Sequence, residues 1–202
     1  MIIEFLMKPK YGIVRRIRNL ISKSIQIIRY FYARKPECLI FDQMALSNFE
    51  RLIQLADEVF SVKSDPSQLD VNPEVLERLH QLQPATVSAH DDGNGPVAWV
   101  LLIPTTIGLM KRFLESEISE KELFELTPLN VSYDAIYLCS ALVLEEYRRK
   151  GITKQLALAA IESIRTKHPL KAAFVWAFSP EGDKAAEMIA RLAGLPLLKR
   201  GK

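Results

Sequence analysis

Residues 142–156 read LVLEEYRRKGITKQL and combine the signals of a strand, a basic turn and a helix. The apolar run that ends at Leu144 predicts a strand, and the apolar positions after Gly151 recur at helical spacing. A helix that begins there would direct its unpaired first amides, at the positive end of the helix dipole, toward an anion. The cations at 148–150 would bind the same anion. A solvated, charged surface turn is the alternative interpretation.

The surrounding sequence alternates predicted helices with predicted strands. The predicted order is a basic helix over 11–31, a strand over 37–43, helices after Ser47 and Asn72, a hairpin over 85–103, one or two helices over 106–126, a strand over 135–144, a helix over 151–167, a strand over 172–178, a helix from Ser179 to Gly194 and a short last strand. The option of two helices over 106–126 rests on the capping-box spacing of Ser119 and Glu122. This order predicts an α/β (α+β) domain with a mixed, mostly antiparallel central sheet and helices on both faces.

The composition is that of a globular protein. The chain has 202 residues, of which 49% are hydrophobic and 25% charged, enough for one domain with a core. Two cysteines and three scattered histidines predict neither a disulfide framework nor a metal site. No apolar run reaches the ~20 residues of a membrane span, and a secretory signal is not recognisable. We therefore expect a cytoplasmic protein.

Charge divides the chain into a basic arm and a mildly acidic body. Residues 1–35 contain nine Lys and Arg and a single Glu, although the whole chain has a net charge of only +3. We therefore predict a basic amphipathic helical arm over 1–35 and a domain over 36–202. Packing on the domain or pairing two subunits is the favoured role of the arm. Contact with an anionic membrane surface and a transit peptide are alternatives, and nucleic-acid binding is disfavoured.

The sequence ALVLEEYRRKGITKQLALAAI at 141–161 resembles the acetyl-coenzyme A motif of the GNAT superfamily of N-acetyltransferases. That motif is an apolar strand, a short turn and then [QR]-x-x-G-x-[GA] at the start of a helix. The tail DKAAEMIARLAGL at 183–195 resembles the last helix of the same superfamily. With the order of elements, the resemblance extends over roughly 37–198 and leaves the arm outside it.

The resemblance implies an acetyltransferase with acetyl-coenzyme A as cosubstrate and an unidentified amine as acceptor, which attacks directly. Backbone groups of Ala141, Leu142 and Val143, beside a splayed strand, would hold the pantetheine arm and the thioester. The pyrophosphate would be held by the turn and the start of the helix, namely by Arg148, Arg149, Lys150, Gly151, Ile152 and Thr153.

The sequence departs from the superfamily pattern at the catalytic positions. Ala190 stands where many members have a tyrosine that protonates the leaving thiolate, and Ala135 stands where some have a glutamate base. Thr153 replaces a small residue of the motif. The remaining catalytic candidates are Asp134, Tyr137 and Tyr147. The alternative function is a non-catalytic GNAT-fold module that binds coenzyme A or a partner. In one form of this alternative, the basic arm binds the partner.

The end of the sequence also bears on assembly. Few residues follow the last predicted helix, which leaves little room for the terminal strand pair of the superfamily. An uncovered sheet edge favours pairing with another strand. We therefore predict a homodimer, formed through the arm or through the C-terminal sheet edge, as one way to complete the sheet.

Overall fold

The computed structural model describes residues 48–61 and 67–201. The strand predicted over 37–43, the basic arm and the domain boundary predicted between residues 35 and 36 lie outside the described residues.

Helices and strands alternate much as the sequence predicts. The elements are α1 (Asn48–Ser61), α2 (Pro73–Leu82), a 3₁₀ turn (Pro84–Thr86), β1 (Val87–Asp91), β2 (Pro96–Thr105), α3 (Ile107–Leu114), α4 (Glu120–Leu126), β3 (Ala135–Val143), a 3₁₀ turn (Glu145–Tyr147), α5 (Ile152–Arg165), β4 (Ala172–Val175), α6 (Pro180–Leu192) and β5 (Leu197–Lys199).

The described strands form one mixed sheet in the order β1-β2-β3-β4-β5. β1 and β3 flank β2 as antiparallel neighbours, and β3, β4 and β5 are parallel. The antiparallel pairs involve the long strands β2 and β3, so most paired residues are antiparallel, as predicted. Because β3, β4 and β5 are parallel, their C-terminal ends meet at one edge of the sheet.

The sheet is covered on both faces. On one face, apolar residues of α5 and α6 pack against β2, β3 and β4; the buried cluster includes Val100, Leu102, Ile136, Leu138, Ala157, Ile161, Ile164, Ala173, Val175 and Ile189. On the other face, Leu52 of α1 packs with Leu142, and Phe113 of α3 contacts Tyr137 edge-to-face with ring centroids 5.1 Å apart. Burying each large aliphatic side chain contributes about 1.5–3 kcal/mol, so these layers hold β3 from both sides.

Local signals of the sequence explain several boundaries. The segment predicted as helical over 106–126 is two helices, because Ser116 takes a left-handed φ of 62° after α3 and Ser119 caps α4. The side chain of Ser119 accepts from the Glu122 amide while Glu122 accepts from the Ser119 amide, which is the predicted capping box. In the predicted hairpin turn, Asp91 Oδ1 accepts from the amides of Gly93 and Gly95.

The strand predicted over 172–178 is shorter than expected. β4 ends at Val175, and the ring of Trp176 then packs edge-to-face against Phe113, with centroids 6.1 Å apart. The apolar run therefore continues past the strand because it contributes to an aromatic cluster.

Two features are absent from the described residues. None of their helices is long and apolar enough to cross a membrane. Within the same residues, no group of three or more His, Cys, Asp or Glu side chains could hold a metal ion.

Candidate functional site

β3 and β4 separate at the C-terminal edge of the sheet. They pair only from Ala135–Ala172 to Tyr137–Phe174, although β3 continues to Val143. Beyond Tyr137, the β4 side of β3 therefore faces no described strand. Ala141 is exposed and Val143 half-buried on this open edge. Backbone groups there can pair with an extended ligand as a neighbouring strand would.

A β-bulge in β3 lies next to this separation. Leu101 of β2 pairs with Ser140, whereas Leu102 pairs with Leu138, so Cys139 is the extra residue. A bulge bends its strand and redirects nearby side chains. The bulge therefore lies two residues beyond the last pair of β3 with β4.

The basic turn connects β3 to α5 as the sequence predicts. Two residues of the turn, Arg149 and Gly151, have left-handed φ values of 61° and 76°. α5 begins at Ile152, and Gly151, its N-cap residue, has no side chain with which to cap the helix. The first bond of the helix runs from the Gln155 amide to the Gly151 carbonyl. The amides of residues 152–154 have no acceptor within the described part of the chain, so they are available to an anion.

Four cations, at positions 148, 149, 150 and 154, belong to this turn and to the first turn of α5. Arg148 and Arg149 are exposed, and neither forms an ion pair with the acidic groups that the structure describes. Lys150 Nζ lies 4.7 Å from the ring centroid of Tyr147, a cation–π contact. Lys154 reaches back toward the turn, because a Cβ added to Gly151 would lie 3.8 Å from its Nζ. Uncapped amides and unneutralised cations together suit a pyrophosphate.

The geometry agrees with a comparison against known families. The model of the Acetyltransferase (GNAT) family matches residues 49–194, more than two thirds of the chain. The chain belongs to this family. No curated protein matches the sequence. Membership in the GNAT family indicates acetyltransferase activity in general and confirms the resemblance seen in the motif and in the order of elements.

In this GNAT protein, a polar network fastens the basic turn to two other elements. The Tyr147 hydroxyl donates to Asp92 in the hairpin turn, and Asp92 also accepts from Asn48 Nδ2 of α1 at 3.2 Å. Arg51 of α1 pairs with Glu146 at 2.6 Å. The bond from Tyr147 lowers the pKa of Asp92 and raises the pKa of Tyr147. The candidate Tyr147 therefore has its hydroxyl engaged beside the turn.

This network lines an open cleft of about 680 Å³ beside the turn. Its lining residues are Asn48, Arg51, Gln54, Asp92, Asn94, Glu146 and Tyr147. Most of these side chains bond to one another, so the cleft is bordered by groups that are already satisfied.

The candidate Asp134 lies at the opposite end of β3. Its Oδ1 accepts from the Ile107 amide at 2.7 Å, at the start of α3, and its Oδ2 is 4.0 Å from Lys171 Nζ. At about 3.3 Å per residue, Ala141 is roughly 20 Å farther along the strand. The structure therefore does not bring Asp134 to the open edge.

The candidate Tyr137 belongs to a buried cluster that the sequence did not reveal. Its hydroxyl donates to Oε1 of Glu120, on α4, at 2.7 Å. Cys139 Sγ donates to the same oxygen at 3.5 Å, and the Leu69 amide donates to Oε2 at 2.8 Å. Burial raises the pKa of Tyr137 and of Cys139 well above their usual ranges, and the adjacent Glu120 carboxylate raises both further. Both side chains are therefore neutral donors near pH 7.

The Glu120 carboxylate is the one acidic group of this cluster, and only 6% of the residue is exposed. It lies on the face of the sheet opposite α5, next to the bulge where β3 and β4 separate. Its neighbours Ser119 and Glu122 form the capping box, so the sequence indicates a helix start but gives no sign that the side chain between them turns inward.

Lys154 was also missed, although it follows Gly151 by three residues and so shares its side of the helix.

The segment 183–195, which resembles the last helix of the superfamily, contains no side chain with a hydroxyl group. Ala190 is 1% exposed within the core between α6 and the sheet. Each of the three tyrosines in the described residues already donates a hydrogen bond. Tyr133 donates to the Pro128 carbonyl, Tyr137 to Glu120 and Tyr147 to Asp92. Ser179 caps α6 by accepting from the Gly182 amide at 3.0 Å.

Proposed function

We propose that this GNAT protein transfers an acetyl group from acetyl-coenzyme A to an amine acceptor by direct attack. The observation that carries the proposal is the continuity of the open edge of β3 with the uncapped start of α5. An extended pantetheine arm can pair with residues 141–143, and its pyrophosphate can then meet the amides and cations of residues 148–154. The open edge and the uncapped helix start are both features of the backbone.

The residues present suit the phosphates of the cosubstrate. Arg148 and Arg149 are free of carboxylates among the described residues and can make charge-assisted bonds to phosphate oxygens. Gly151 leaves the backbone open to close approach. Thr153 is half-buried, and its hydroxyl adds a donor in the first turn of α5.

We assign the general base to Glu120 in place of Asp134 or Tyr137. A carboxylate offers about four lone-pair positions, of which Tyr137, Cys139 and Leu69 occupy three. The remaining position, on Oε2, can accept a hydrogen bond from an incoming amine. Glu120 adjoins Cys139, which is about 7 Å along the strand from Ala141. A positioned base of this kind typically accelerates a reaction by about 10²–10⁴-fold.

The transfer then balances without a tyrosine acid. The amine forms a C–N bond to the acetyl carbon, the C–S bond breaks, the amine proton passes to Glu120, and coenzyme A leaves as a thiolate. Since Ala141 is exposed at the open edge, solvent can protonate the thiolate there. This accounts for a buried alanine at position 190.

The first test is binding of acetyl-coenzyme A to the full chain, measured by calorimetry for the wild type, Arg148→Glu and Arg191→Glu. Arg191 is exposed on α6 and undergoes the same change of charge away from the turn. We expect Arg148→Glu to weaken binding by at least about tenfold, the loss of one or two charge-assisted bonds, and Arg191→Glu to leave it unchanged. Equal affinity of all three proteins would contradict the phosphate assignment.

The second test is release of free thiol from acetyl-coenzyme A in the presence of a panel of amines. Amine-dependent release supports the transferase. Tight binding without release for any amine would support the alternative, a non-catalytic module that keeps the fold to bind coenzyme A.

A further inference from the structure

An arginine lies at the same sheet edge as the proposed reaction centre, on the face that carries Glu120. Arg200 follows β5, and its amide donates to the Val175 carbonyl at the end of β4 at 2.9 Å. β3, β4 and β5 are parallel, so the end of β5 is at the edge where β3 and β4 separate.

Aromatic rings hold the guanidinium of Arg200 in place. Its central carbon lies 4.3 Å from the ring centroid of Phe113 and 4.6 Å from that of Trp176. One of its five N–H donors reaches the Ile118 carbonyl at 3.3 Å. Ile118 precedes Glu120 by two residues, so the guanidinium is beside the start of α4. Stacking on two rings fixes the plane of the donors before any ligand arrives.

The charge of Arg200 is not neutralised by a neighbour that the structure describes. No carboxylate among residues 48–61 and 67–201 lies within ion-pair distance of its guanidinium. Glu120 is linked to Arg200 through two rings: the Tyr137 hydroxyl donates to Glu120 Oε1 at 2.7 Å, and the Tyr137 ring contacts Phe113, on which Arg200 packs. A carboxylate and a guanidinium therefore flank the same aromatic cluster without forming an ion pair.

We propose that the acceptor is an amine that also carries a carboxylate, with its nitrogen at Glu120 and its carboxylate at Arg200. A planar guanidinium with several free donors matches a carboxylate in a bidentate arrangement. A ligand that carries an amine and a carboxylate complements these two protein charges. The cosubstrate is held from the α5 face, so the acceptor enters from the other face. The inference deepens the proposed function and rests on it.

The test compares acceptors that differ only in the carboxylate. Initial rates are measured for glycine against glycinamide and β-alanine against β-alaninamide, corrected for the fraction of free amine at the assay pH. We expect the wild type to prefer the carboxylates by at least tenfold in kcat/KM. Arg200→Gln should remove the preference through a roughly 10- to 100-fold loss of kcat/KM for the carboxylates, mostly as a higher KM. Arg191→Gln, the matched exposed arginine on α6, should retain it.

Several outcomes would overturn the inference. The first is that the wild type acetylates the carboxamides as fast as the acids. This comparison uses the wild type alone, so it does not depend on the folding of Arg200→Gln. Another is a preference that survives in Arg200→Gln. A protein that binds acetyl-coenzyme A and acetylates no carboxylate-bearing amine also contradicts it. If the wild type does not bind acetyl-coenzyme A at all, that result would instead contradict the proposed function itself.

Discussion

At the scale of single residues, hydrogen bonds distinguish the acidic groups near β3. Asp134 and Asp92 serve backbone amides and neighbouring side chains at helix and hairpin ends. Glu120 instead accepts from a tyrosine, a cysteine and one amide inside the protein and retains a free lone-pair position. Among the acidic residues that the structure describes, only Glu120 combines burial with a position at the separation of β3 and β4.

Replacing Glu120 by Gln tests this role. We expect kcat to fall by about 10²–10⁴-fold, because the amide cannot accept the amine proton, while the affinity for acetyl-coenzyme A stays unchanged. The measurement is steady-state kinetics, together with calorimetry of the same protein below its melting temperature. The control is Glu122→Gln, on the exposed side of the same helix start. Equal activity of Glu120→Gln and wild type would exclude Glu120 as the base.

At the scale of elements, β3, the basic turn and α5 form one unit whose backbone shape depends on glycine. Gly151 has a φ of 76°, and a Cβ there would meet only the Lys154 side chain, at 3.7 and 3.8 Å. The position is sterically open but conformationally restricted, because left-handed backbone costs other residues roughly 1–2 kcal/mol. Gly194, after α6, has a φ of 66° with nothing within 4 Å of its added Cβ.

These two glycines give a matched pair of variants. Gly151→Ala and Gly194→Ala should each lower the free energy of unfolding by about 1 kcal/mol, since alanine is strained at both positions. Only Gly151→Ala should also weaken acetyl-coenzyme A binding, because only its methyl group enters the turn that meets the phosphates. Chemical denaturation and calorimetry measure the two effects. An equal loss of affinity in both variants would indicate a general effect of stability.

At the scale of the whole molecule, the network of Tyr147 joins α1, the hairpin and the turn before α5, which are distant in sequence. Two of its titrating members, Asp92 and Tyr147, have pKa values that shift in opposite directions. The bond from Tyr147 lowers the pKa of Asp92, so its contribution to stability is present above the unfolded pKa and is lost as pH falls through the lowered value. The raised pKa of Tyr147 gives a contribution that is present below the unfolded pKa and is lost as pH rises through the raised value.

Tyr147→Phe removes the hydroxyl and retains the ring under Lys150. We expect its melting temperature to depend less on pH than that of the wild type on both the acid and the alkaline limbs. The site is exposed, so the differences should be small and should decrease in high salt. The measurement is the melting temperature of each protein across a range of pH. Tyr133→Phe is the control, because the Tyr133 hydroxyl is bonded to a carbonyl that does not titrate. Parallel profiles of Tyr147→Phe and wild type would contradict the coupling.

The basic arm also belongs to this scale and stays a prediction. Packing on the domain or pairing of subunits is favoured over a membrane surface, and a cytoplasmic location is expected. Light scattering of the full chain, with and without anionic vesicles, tests these alternatives. A stable monomer that binds the vesicles would reverse the preference.

The sequence by itself determined the family, the order of the elements and the basic turn that we propose binds phosphate, because strand and helix periods, Gly151 and the cations 148–150 are local signals. It also indicated the capping box of α4 and the hairpin at Asp91. Only the tertiary structure decided where β3 leaves β4, that Glu120 turns inward and that Arg200 lies beside it. Those features depend on contacts between residues distant along the chain, such as Glu120 with Leu69 and Arg200 with Phe113, which no local pattern encodes.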